Sequence, residues 1–201
     1  MKSRLSIITL LMAVVVTSGC TTNVRTPTNA QNPAPLEPFS KFSSFELKPI
    51  NTAEDCAKQR GADVALTDVQ GQLNWKLGPM VKDWNSKTAS GTRKLLIEPI
   101  CSDVKLVGTA GRILAGALAG SSAIVMKMRY TEADTGKIIA EPVFYQRANA
   151  MGAAYSFGGT DRNMAARISE LMIAYARNNY DAAVGGPTGS ADVVPVSTTK
   201  K

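Results

Sequence analysis

The chain has no histidine at all. That absence removes imidazole acid–base catalysis, Ser-His-Asp and Cys-His nucleophile systems, and most catalytic zinc sites. Aromatic residues are also few, at 6%. Alanine, glycine and methionine are common by contrast, so the core should be built from aliphatics and methionine. Like charges nowhere run to five or six in a row, although the formal net charge is +7. Scattered positive charge gives solubility and a mild attraction to anionic headgroups or glycans. It does not make a nucleic-acid footprint. Neither an EF-hand spacing nor any other oxygen-ligand set for a metal is present, and no cofactor is implied. No apolar run is long enough for a comfortable transmembrane helix.

What the chain does have is Cys20. It closes the run Thr17-Ser18-Gly19-Cys20, after an apolar stretch from Leu5 to Val16 that follows Lys2 and Arg4. A short basic region, an apolar core and small residues are the grammar of a cleaved leader. The combination resembles the lipobox of bacterial lipoproteins. That resemblance implies cleavage before Cys20, acylation of its thiol and new amino group, and a leader over 1–19. Thr21 rather than Asp follows the cysteine, which in such lipoproteins favours the outer membrane. The bland alternative is an ordinary secretory leader or a membrane helix with a chance cysteine. Two further cysteines remain, Cys56 and Cys101. In an oxidising compartment an even pair reads as a disulfide; two buried free thiols is the competing reading.

Composition divides the rest. Residues 20–41 carry prolines and small polar side chains that bury little surface, so they read as a disordered tether spanning about 25–60 Å. Residues 42–181 read as one domain. About 140 residues bury roughly two-thirds of their chain surface. Residues 182–201 start around Gly185-Gly186-Pro187 and end in Lys200-Lys201. They read as a disordered tail.

Within the domain, Phe45 to Lys48 alternates at period two and predicts a strand ended by Pro49. Thr52 with Asp55 three positions on predicts a capped helix start, ending at Gly61. Val69, Leu73, Leu77, Met80, Val81 and Trp84 recur at helical spacing. Gly78-Pro79 inside that run predicts a kink or a restart. Lys94 to Ile100 predicts a central strand, extended by Val104 to Val107. Ala123 to Thr131 and Lys137 to Tyr145 predict a hairpin turning at Asp134-Thr135-Gly136. A three-residue loop sets Arg129 opposite Glu141 and Met126 opposite Phe144. Pro142 lacks a donor, so its strand should lie at an edge or pair on its non-bonded side. Asp161 caps a last helix whose apolar positions are Met164, Ile168, Leu171, Met172 and Tyr175.

Chemistry is harder to find. Gly108, Gly111, Arg112, Gly116 and Gly120 mark a small-residue stretch. It lacks a Walker lysine and the strand–loop–helix grammar of a dinucleotide site. It reads as a connector that packs closely or touches a partner. Phe157 to Asp161 could hold an anion at a helix N-terminus, but Asp161 already supplies a carboxylate, so a helix start is the better reading. Glu98, Asp103, Asp134 and Glu141 lie near predicted sheet ends without the spacing of an acid–base pair. Tyr145, Tyr155 and Phe157 read as packing residues. No catalytic residue is assigned.

A family resemblance rests on Leu95-Leu96-Ile97-Glu98-Pro99, on Ala119-Gly120-Ser121-Ser122, and on Asp134 through Ala140. It continues in Phe144-Tyr145, in Thr160-Asp161-Arg162-Asn163 and in Asn178-Asn179-Tyr180. These residues, across roughly 43–181, resemble a group of functionally uncharacterised proteobacterial lipoproteins. The order of elements also resembles the small α/β domain shared by the Tol-Pal propeller N-terminus, the curli-secretion lipoprotein and the penicillin-binding-protein activator lipoproteins. Fold likeness of that kind does not transfer function. The expectation is an α+β domain with about four strands, mixed or antiparallel, and helices on one face. The expected role is a non-catalytic periplasmic binding or assembly module on the outer membrane. Its partners would be the membrane, through its lipid, and another envelope protein, not nucleic acid. The alternatives are an accessory subunit of an envelope machine such as a peptidoglycan synthase, or a periplasmic enzyme.

Overall fold

Alternation in residues 94–105 builds the centre of the sheet. Leu95, Ile97, Pro99 and Cys101 turn inward and Leu96, Glu98 and Ile100 outward. The computed structural model describes residue 24 and residues 27–87, 91–106, 121–148 and 159–190. Its strands are β1 (Gln31–Asn32), β2 (Ser44–Leu47), β3 (Asn51–Thr52), β4 (Lys94–Lys105), β5 (Ala123–Glu132), β6 (Ile138–Ala140), β7 (Val143–Arg147) and β8 (Gly186–Pro187). The helices are α1 (Glu54–Ala57), α2 (Ala62–Gln72), α3 (Gly78–Lys87) and α4 (Gly159–Asn178).

Six strands fill four ranks. β2 and β3 run parallel to β4 along one side, β5 is antiparallel on the other, and β6 and β7 pair with β5 beyond it. This is a single α+β domain with a mixed sheet. The break between β2 and β3 holds Pro49 and lies alongside Glu98-Pro99, where β4 itself lacks a donor. A register shift between Cys101 and Asp103 bends β4, so Val104 becomes the next buried side chain.

The hairpin has the predicted register. Met126 faces Phe144 and Tyr130 faces Ala140, with a shift only beside the turn. Arg129 is bonded to Glu141. Pro142 falls in the gap between β6 and β7, and its carbonyl accepts from the amide of Met128.

The helices cover one face. Ile97, Ile124, Met126 and Met128 of the sheet meet Leu73, Leu77, Met164 and Met172 in one core. Full burial of each such side chain contributes roughly 1.5–3 kcal/mol. α2 reaches α3 through a widened π turn, Leu73–Leu77. Proline 79 has no N–H and its ring crowds the carbonyl four residues earlier, so the predicted kink takes the form of that wider turn. Gly78 itself stays helical, at φ −54° and ψ −50°. The predicted Thr52 cap is not made. Thr52 lies in β3 opposite Cys101, and Ala53 precedes α1 without a side-chain bond. Likewise α4 begins at Gly159, which puts Asp161 inside its first turn.

Both boundaries of the folded unit lie outside 42–181. β1 pairs with β8. Phe39 is fully buried and stacks on Tyr130 with ring centroids 4.4 Å apart. The Asn32 side chain donates to the carbonyl of Val143 and accepts from its amide, both at 2.8 Å. It therefore acts as a one-residue strand along β7. On the opposite edge Asn85 does the same to Phe45, at 3.0 and 2.7 Å. Two asparagine amides thus occupy the open hydrogen-bonding groups that invite unwanted strand pairing. Buried Asn179 joins the ends. Its side chain donates to the carbonyls of Tyr175 and Gly185 and accepts from the amides of Val184 and Gly185. Its own carbonyl accepts from Phe39. Gly189 is required here, because at φ +82° a Cβ would lie 2.5 Å from the carbonyl oxygen of Tyr145.

Candidate binding face

The face of the sheet away from the helices is where charged and exposed apolar side chains converge. Pleating puts Glu98, Arg129 and Glu141 in one cross-strand row, since the three stand opposite one another. Arg129 bonds Glu141 at 2.8 Å and approaches Glu98 at 3.7 Å; Asn51 donates to Glu98 at 2.9 Å. Glu46 sits between Lys48 and Lys94. Hydrogen bonds from Lys48 first, then Lys94, pull its carboxyl down to about 2. Between these groups lies a groove of about 600 Å³ floored by Leu96 and walled by Pro49, Thr131 and Ile138. Ile138 is 48% exposed, and neighbouring Leu36, whose amide bonds Ile139, is 66% exposed. Apolar centre and charged rim is the pattern of a protein-binding surface.

Further along the same face a cleft of about 800 Å³ opens beneath the N-terminal segment. Asn29, Asn32, Asp55, Asp103, Lys127 and Glu141 line it. At its end Ala123, Val125 and Tyr145 form a small apolar cluster, against which Val24 and Val143 pack.

Arg93 fastens the N-terminal segment to the sheet. It forks onto Glu37 at 2.7 and 3.0 Å, bonds Glu132 at 2.6 Å, and lies 4.3 Å over the ring of Phe42. The guanidinium holds both carboxyls below their ordinary range and is itself raised by them. A carboxylate depressed in the folded state stabilises above its unfolded pKa, about 4.3 for glutamate. That stabilisation is lost as pH falls through the depressed value. Thermal stability should therefore be level from pH 7 to about 5 and decline toward pH 3. Arg93→Met should flatten the decline while lowering the neutral plateau. Unfolding scans across that range check this; parallel curves for the two proteins would reject it.

Several candidate residues meet here and others do not. Glu98 and Glu141 share one arginine, as an ion-paired row. Asp103 lines the cleft, and Asp134 is exposed in the hairpin turn. Cys56 and Cys101 are joined, with Cα atoms 6.2 Å apart, both fully buried where α1 lies on β4. Cys20, the stretch Gly108, Gly111, Arg112, Gly116 and Gly120, and Tyr155 and Phe157 lie outside the described residues. Among the described residues, no group of three or more acidic or thiol side chains could hold a metal ion. No helix among them is long and apolar enough to cross a membrane. Sequence reasoning passed over Asn29, Asn32 and Val24. The one available signal was Phe39, which begins a run of phenylalanines at every third position with Phe42 and Phe45.

No protein-family model and no curated protein matches the chain. Among solved structures it is similar to a point variant of the PelC dodecamer from Paraburkholderia phytofirmans, at 7% identity and TM-score 0.38, over 69% of this chain and 90% of that one. It is also similar to a candidate lipoprotein from Caulobacter crescentus CB15, at 14% identity and TM-score 0.31, over 65% and 89%. A third likeness is to protein XCC0632 from Xanthomonas campestris, assigned to DUF330, at 10% identity and TM-score 0.34, over 80% and 100%. Likenesses this distant say nothing of what this chain does. The functional reading rests on its own residues.

Proposed function

We propose that this chain is a lipid-anchored protein of the outer membrane whose domain faces the periplasm and works as a non-catalytic binding or assembly module. The groove on the open sheet face carries the reading. Leu96 and Ile138 offer apolar surface there, with Lys48, Glu98 and Arg129 at the rim. A partner protein of the envelope, with a complementary apolar ridge and mixed charge, fits such a surface. Ion pairing of Glu98 and Glu141 with Arg129 ties both carboxylates to one cation, an arrangement that suits recognition of a charged partner. Cys20 supplies the anchor: several acyl chains on one residue give stable membrane residence.

One experiment tests both halves. A photo-cross-linking residue replaces Thr131 beside the groove, in the native chain and in Cys20→Ala. The expected result is a discrete adduct in the native background that disappears in Cys20→Ala, whose product is soluble or unprocessed. Absence of an adduct in the anchored chain would remove the groove as the binding surface. Normal outer-membrane fractionation of Cys20→Ala at unchanged mass would remove the anchor.

A further inference from the structure

We infer that the end of the sheet carrying Val24 lies against the lipid headgroups, so the domain is held in one orientation on its membrane instead of swinging on a long tether. The inference rests on Cys20 being the lipid-bearing residue. Its first ground is the length of chain outside the fold. Val24 packs on the cluster of Ala123, Val125 and Tyr145. Three residues separate it from Cys20, and the four Cα–Cα steps between them span at most about 14 Å fully extended. The expected tether of 20–41 would reach several times further. Most of that stretch is instead fixed along the sheet by β1, Asn32, Glu37 and Phe39.

The second ground is charge. Lys105, Ala123 and Arg147 form one cross-strand row on the outward face, because both flanking residues register with Ala123. Lys127 stands two rows away, opposite Val143. Arg167 of α4 lies beside Arg147 and donates to its carbonyl at 3.2 Å. Asp103, opposite Val125, and Asp55, which lines the same cleft, are the acidic groups of this margin, and Glu141 lies beyond Lys127. A basic edge around a small apolar cluster suits a surface of anionic phospholipid. The helix layer, with Lys82 and Lys87 on α3, then points away from the bilayer. The groove at Leu96 and Ile138 lies at the other end of the sheet face, clear of the headgroups and open to a partner.

The test uses the chain from Cys20 onward with its disulfide formed, so that Cys20 carries the one reactive thiol. It is coupled to maleimide-headgroup lipid in vesicles of phosphatidylcholine doped with phosphatidylglycerol, at low copy number per vesicle. Amine-reactive labelling read by mass spectrometry compares coupled and uncoupled chains. Lys105 and Lys127 should lose reactivity roughly three-fold or more on coupling, as headgroup contact screens basic side chains, while Lys82 and Lys87 stay unchanged. Arg147→Glu should restore reactivity without releasing the chain. Equal labelling of all four lysines would overturn the inference. Protection confined to crowded vesicles would overturn it too, by assigning the face to a second copy. Because the coupling is chemical, failure of cells to acylate Cys20 would be a separate result, read from the mass of the native protein.

Discussion

A chain with both Cys56 and Cys101 changed to alanine should unfold with about 4 kcal/mol less stability than the oxidised protein. The loop closed has a sequence separation of 45. Freeing a loop of that size in the unfolded ensemble restores entropy worth roughly 4 kcal/mol at 25 °C. Typical domains have only about 5–15 kcal/mol in total. A midpoint shift of roughly 8–16 °C follows for a chain of this size. The bond also fastens α1, a four-residue helix that could not persist alone. Reduction of the native protein should lower the midpoint comparably, though slowly, because both sulfurs are fully buried. Thermal unfolding with and without reductant reads this directly. A double mutant within about 1 kcal/mol of the native protein would mean that the loop is already constrained when the chain is unfolded.

The second large effect is expected at Phe39. Phe39→Ala should cost about 3–5 kcal/mol, as for other buried phenylalanines. Its ring is stacked on Tyr130 and tilted against Tyr175 at 6.5 Å, so truncation leaves a hole beside two of the largest buried side chains. Nearby Leu36→Ala is the control: that side chain is mostly exposed, and its loss should stay within about 0.5 kcal/mol. Denaturant unfolding at unchanged slope gives both values. If Phe39→Ala matched Leu36→Ala, the segment before residue 42 would have no place in the cooperative unit.

The two halves of the chain differed in how openly their sequences spoke. The hairpin was legible because two signals agreed: alternation on Ile124 to Tyr130, and a turn with Gly136 at positive φ. Their agreement fixed Arg129 against Glu141. α4 was legible because Met164, Ile168 and Met172 recur at one spacing. The N-terminal segment was not. Proline and small polar residues say that a stretch cannot build a core of its own, and they are silent on whether a neighbouring sheet edge will accept it. Asn32 needs only the amide and carbonyl of Val143, and Phe39 needs only a slot beside Tyr130. Neither requirement leaves a period. Thr52 misled for a related reason. Its hydroxyl suits a cap, but its backbone is claimed by Cys101 across the sheet, a long-range pairing with no local mark. Of the candidate face, the charges were visible in sequence as scattered residues. Only the pleat and register made a row of them.

Asn179 has a consequence for the order in which the molecule completes itself. Residues 29–41 leave the ribosome early, yet the groups that receive them arrive last. Phe39 waits for the carbonyl of Asn179, and β1 waits for β8. Contacts of such long sequence separation close late. This segment therefore stays undocked until nearly the whole polypeptide has been made. Final docking of the segment beside Val143 then closes the sheet edge in a single late step.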